Sequence, residues 1–145
     1  MFDRLIEALG TISTQDDAVQ LQRAETQLAT AILLYAVVPA DRITLPEEML
    51  ELHSALIHIF SLSDEAACKL IAEASDDYQK EPTLLAPATL LKHRLSFSFR
   101  NLIMSAAKRI AIVDGSVHEN EADVLRRIEI LLGLSSGTGQ QRKSA

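Results

Sequence analysis

Ala29-Thr30-Ala31-Ile32-Leu33-Leu34-Tyr35-Ala36-Val37-Val38, halted by Pro39, is the most apolar stretch of the chain. Its length is about half of the ~20 residues that a membrane span needs, so it reads as the buried part of a core helix. Upstream, Ser13-Thr14-Gln15-Asp16 offers an oxygen-bearing cap with an acid in the first turn, where the helix dipole favours negative charge. Leu21, Ala24, Leu28, Ile32, Tyr35 and Val38 then recur every three or four residues. One long helix to Val38 follows, apolar nearly all round in its second half and therefore central in a bundle.

The blocks on either side are helical as well. Thr44 and Glu47 stand three apart around Leu45-Pro46, the spacing of a capping box, and open a helix that continues to Phe60. Ser63 caps the next, through Cys68, Leu70 and Ile71 towards Tyr78. Pro82 and Pro87 bracket a break, after which a short helix is expected between Thr89 and Leu95 and a longer one from Ser96 through Phe99, Leu102, Ile103, Ala106, Ala107 and Ile110 to Val113. The last begins near His118, turns Leu125, Ile128, Leu131 and Leu132 to the core, and stops at Gly133. Met1 to Gly10, with Asp3, Arg4 and Glu7, reads as a short amphipathic helix and not as a secretory signal. No block alternates as a half-buried strand does. The expectation is an all-α fold: about seven helices in one compact bundle over residues 1–134, its core about 20–134, followed by a disordered polar tail at 135–145.

With 145 residues, 48% of them hydrophobic, the chain suffices for one domain. No Trp, two Tyr and four Phe leave an aliphatic core without a stacking platform for bases, and a net charge of -6 opposes a phosphate backbone. Nucleic acid is excluded as a partner on these grounds. Charge is uneven: residues 47–81 carry nine acids and two bases, residues 82–113 five bases and no acid. The first reading of this asymmetry is solvated surface pairing between helices; the second is an acidic face for a cation or a basic partner.

Catalytic motifs fail on inspection. His118-Glu119-Asn120-Glu121-Ala122 begins as a helical zinc-protease motif does, but Ala122 stands where the second histidine belongs. His53 and His58, five apart, point about 140° away from each other on a helix. Cys68, the one cysteine, cannot form an intramolecular disulfide and reads as a small core residue. No nucleophile with its base and orienting group can be named, so an enzyme is not expected.

The chain does repeat itself. Ala36-Val37-Val38 is followed by Ala40-Asp41-Arg42-Ile43-Thr44 and then Glu47; Ile110-Ala111-Ile112-Val113 is followed by Asp114-Gly115-Ser116-Val117-His118 and then Glu121. Aligning Ile43 with Val117 pairs Thr44 with His118 and Glu47 with Glu121, and Leu62-Ser63 pairs with Leu134-Ser135 after a two-residue slip. In this register Ala40 stands opposite Asp114, and Asp41 opposite the glycine.

On Asp114-Gly115-x-Val117-x-x-x-Glu121, its echo Asp41-x-Ile43-Thr44-x-x-Glu47, and the Gly133-Leu134-Ser135 and Leu62-Ser63-Asp64-Glu65 signals, residues 20 to 135 resemble the TerB-like family of tellurite-resistance and stress-associated domains. The resemblance implies a bacterial all-α domain with two pseudo-symmetric helix-turn-helix halves and no established catalysis. It also implies a metal ion held by acids at the two junctions, or a module joined to protein partners. Geometry at the second junction agrees with a metal. His118 and Glu121 share one side of a first helical turn facing Asp114, and their oxygens and imidazole suit a divalent cation. Asp41 and Glu47 would stand opposite. The competing reading makes Asp114-Gly115 a turn, His118 a cap and Glu121 a capping-box acid. The expected function is thus a cytoplasmic binding domain without a membrane span: a metal-responsive stress module, or an adaptor for a protein partner with the junction acids as caps.

Overall fold

Helix α1, Ala24–Val37, touches each of the other five helices that the computed structural model defines: α2 (Pro46–Phe60), α3 (Asp64–Lys80), α4 (Leu85–Arg94), α5 (Phe97–Ala111) and α6 (Glu119–Leu131). The structure describes residues 18–38, 46–113 and 119–134. The first-helix segment Met1 to Gly10, the Ser13–Asp16 cap, Thr44 and the tail at 135–145 lie outside them. Among the described residues there is no strand, and no helix is long and apolar enough to cross a membrane.

The central place of α1 follows from its composition. Ala29, Ala31, Leu33, Leu34, Ala36 and Val37 are all buried, and complete burial of a leucine side chain is worth about 1.5–3 kcal/mol. Two threonines share that interior. The Thr30 hydroxyl donates to the Thr26 carbonyl one turn earlier at 2.9 Å, so its polarity is met within the helix. Towards α3, Tyr35 meets Tyr78 edge to face at 6.1 Å between centroids and accepts a hydrogen bond from Ser75 at 3.1 Å.

The long helix expected from Ser13 to Val38 is interrupted. Gln22 N–H donates to the Val19 carbonyl and Arg23 N–H to that of Gln20, tight turns that break the helical ladder, and Arg23 is extended at φ -83°, ψ 136°. Gln27 Nε2 then donates to the Leu21 carbonyl at 2.9 Å and holds the turn against α1. Helix α4 also begins earlier than expected, at Leu85. Pro87 lies inside its first turn, where a missing N–H costs nothing. Helix α5 ends at Ala111, two residues short of Val113, and Leu102 on it is 46% exposed.

The cap expected at Ser63 is in place, and Ser96, expected only as the start of its helix, caps as well. Ser63 accepts from Ala66 N–H at 3.1 Å and Ser96 from Phe99 N–H at 3.2 Å. The charge asymmetry is partly resolved across the surface: Arg109 Nε meets Glu51 at 3.3 Å, while Arg94 turns instead to Glu25 at 3.0 Å.

The internal repeat is visible in the helices themselves. Ala24 to Phe97 and Pro46 to Glu119, the starts of α1 and α5 and of α2 and α6, are both steps of 73 residues. In α1 and just past its end, Thr30, Ala31, Leu33, Leu34, Val37 and Val38 are buried; so are Ile103, Met104, Ala106, Ala107, Ile110 and Ala111 at the same step in α5. The ends of α2 and α6 match too. Ser61 (φ 56°) and Gly133 (φ 77°) adopt the left-handed conformation, and the next residue reaches back, Leu62 N–H to the Ile57 carbonyl and Leu134 N–H to that of Glu129. This is the Schellman closure.

Candidate functional site

Proline at the first position of α2 makes Glu48 the third helical residue, and Glu121 is the third residue of α6. Both side chains are fully buried, at 0% exposure. A buried carboxylate is expensive unless charge and hydrogen bonding compensate, and the positive end of a helix dipole is one natural compensation. Each of the two has an interaction partner. The third place in a helix, within its first turn, is that of a capping-box acid, whose carboxylate can reach back over the helix start.

The sequence sets two further acids at matching spacings. With Glu48 set opposite Glu121, Asp41 falls opposite Asp114, each seven residues before its glutamate. The register argued from Ile43 and Val117 is therefore one residue off, and the apparent departure at Ala40 disappears with it. Glu47, paired with Glu121 in that register, is exposed. Asp41, Asp114 and His118 lie outside the described residues. Among the described residues no group of three His, Cys, Asp or Glu side chains could hold a metal ion. What the described helices do bring to the two junctions is one interior carboxylate apiece, an all-oxygen donor chemistry suited to hard cations.

Sequence reasoning also misplaced Cys68. The buried stripe of α3 is Ala67, Leu70 and Ala74, and Cys68, one residue and about 100° on from Ala67, is exposed instead of lying in the core. Its sulfur is 3.5 Å from His53 Nε2 on α2. His53 and His58 do take separate partners, as their spacing requires. His58 Nδ1 lies 2.8 Å from the Ser54 carbonyl, while His53 faces Cys68 and Asp64.

No curated protein and no solved structure matches the chain. The sequence model of the family described as tellurite resistance protein TerB matches residues 27–143, which takes in all six helices but the first turn of α1, and both junctions. The chain belongs to the TerB family.

Proposed function

We propose that this TerB-family chain is a binding domain without catalysis, holding a divalent cation at the junctions between its paired helices. The observation that carries the reading is the complete burial of Glu48 and Glu121 at equivalent first-turn positions. A surface acid needs no explanation, but two interior carboxylates repeated at one place in each half do. Asp41 and Asp114, at matching spacing, complete a four-carboxylate set suited to calcium or magnesium; His118 would tilt it towards manganese or zinc. Glu48 takes the place first given to Glu47. We further place the domain in the cytoplasm, in a stress-associated role.

A second reading has its own support. Both glutamates are third helical residues, where an acid serves as a cap with no metal at all, and the domain would then be an adaptor for a protein partner. Calorimetric titration of chelator-stripped protein with calcium, magnesium, manganese and zinc separates the two. Stoichiometric micromolar binding, lost in the Asp114→Asn, Glu121→Gln double variant with the fold retained, is the outcome expected. Silence in the wild-type protein would leave the acids as caps and favour the adaptor.

A further inference from the structure

Between α2 and α3 an open recess of about 590 Å³ is lined by Met49, Leu50, His53, Cys68 and Ile71. Its walls are aliphatic, Leu50 being 68% exposed, and its polar end is the Cys68 thiol with the His53 imidazole. This arrangement is independent of the buried carboxylates. We propose that Cys68 is a covalent acylation site, accepting an acyl chain from a long-chain acyl thioester whose hydrocarbon lies along Met49, Leu50 and Ile71.

The geometry supplies each part of the transfer. With its proton on Nδ1, His53 presents the Nε2 lone pair to the Cys68 S–H at 3.5 Å and takes that proton as the sulfur attacks the thioester carbonyl. The resulting imidazolium has Asp64 beside it, the carbonyl oxygen 3.4 Å and Oδ1 3.6 Å from Nε2. A carbon–sulfur bond to Cys68 forms, the carbon–sulfur bond to the donor breaks, and the departing thiolate takes up from His53 the proton that Cys68 gave. Atoms and charge balance with no oxidant or reductant. An alkyl hydroperoxide would fit the same walls, but it would leave a sulfenic acid, and the chain has no second cysteine to resolve it. Acyl transfer closes with the groups present.

The test incubates the full chain with dodecanoyl-CoA or acetyl-CoA and follows intact mass. One dodecanoyl group is expected, removed by neutral hydroxylamine, mapped to Cys68 and absent in Cys68→Ser. His53→Gln should slow its addition roughly 100-fold. The dodecanoyl donor should react at least about tenfold faster than the acetyl donor, a ratio that burial of two methylene groups already supplies, and Leu50→Ser should shrink that preference. Circular dichroism checks that each variant keeps its helices. Equal rates for the two donors, an unaltered rate in folded His53→Gln, or no adduct on the wild-type chain would each overturn the proposal. Oxidation of Cys68 by cumene hydroperoxide without acylation by either thioester would overturn it in favour of a peroxide-reactive thiol.

Discussion

Glu48 and Glu121 are the same residue of the two halves: each is third in its helix, and neither side chain reaches solvent. The equivalence is testable through stability. Replacing either by glutamine keeps the volume but exchanges a carboxyl oxygen for an NH2 group, and disturbing the partners of a buried polar group costs about 1–3 kcal/mol. Glu48→Gln and Glu121→Gln should therefore each lower unfolding stability by that amount in urea titration. Glu47→Gln, on the exposed side of the same turn, should change it by less than ~0.5 kcal/mol.

The same residues separate the metal reading from the capping reading. A cation that binds the folded chain alone stabilises it by about 2.7 kcal/mol at a concentration of 100 Kd. Melting in the presence of calcium or manganese should thus rise for the wild-type chain, return to its starting value with excess chelator, and stay fixed in Glu48→Gln. Glu47→Gln should respond as the wild type does. A melt indifferent to every cation would dismiss the metal.

Opposite substitutions at the two helix ends should have opposite signs. Ser61 holds φ 56° with a side chain in place, a conformation that costs an L-residue about 1–2 kcal/mol, so Ser61→Gly should stabilise by ~1 kcal/mol. Gly133 holds φ 77°, and a Cβ there would lie 3.1 Å from Lys92 Cε and 3.2 Å from Arg100 Nη1. Gly133→Ala combines backbone strain with crowding against flexible side-chain ends and should cost about 1–2 kcal/mol. Chemical denaturation of both variants reads the two signs directly.

Legibility in the sequence tracked the locality of each signal. Ser63 was readable as a cap because the bond it accepts comes from three residues away, and Gly133 as a helix stop because the left-handed conformation favours glycine; Ser96 was readable only as a helix start, although it accepts a bond at the same spacing. The start of α1 carried no such mark: Arg23 makes no side-chain cap, and the break at Leu21 depends on backbone turns within an otherwise helical apolar period. At Pro87 the residue type was clear and its place was not, since proline breaks a helix interior but suits a first turn. Glu48 was missed by one position. Apolar identity matched Ile43 to Val117, whereas the equal spacing from Asp41 to Glu48 and from Asp114 to Glu121 carried the correct register. Cys68 and His53 are fifteen residues apart on different helices, and only packing brings them together.

Glu51 and Arg109 join the acid-rich and base-rich parts of the chain at 3.3 Å, with side chains 27% and 57% exposed. Water and salt screen so open a pair. A double-mutant cycle through Glu51→Gln and Arg109→Gln should give a coupling of about 0.2–1 kcal/mol that shrinks further in 1 M salt. A larger, salt-insensitive coupling would mean that the pair orders α2 against α5 more strongly than its exposure implies.

Arg100 does more for the fold than any of the surface ion pairs. Its Nε donates to the Leu95 carbonyl at 3.1 Å, and its Nη1 donates to the carbonyl of Leu132. One guanidinium therefore ties the residue following α4 to the end of α6, where a cation also meets the negative end of the helix dipole. The Phe97 ring lies 5.8 Å from the guanidinium carbon and adds a cation–π contact at a solvent-facing site. A lysine keeps the charge but is a single point of donation and cannot reproduce the fork. Arg100→Ala should cost about 2–3 kcal/mol and Arg100→Lys about half of that, and hydrogen exchange should quicken at Leu134 N–H, whose bond to the Glu129 carbonyl closes the same helix end. Phe97→Ala should cost under ~1 kcal/mol. If Arg100→Lys were as stable as the wild-type chain, charge at the helix end would suffice and the bridge between the two carbonyls would be incidental.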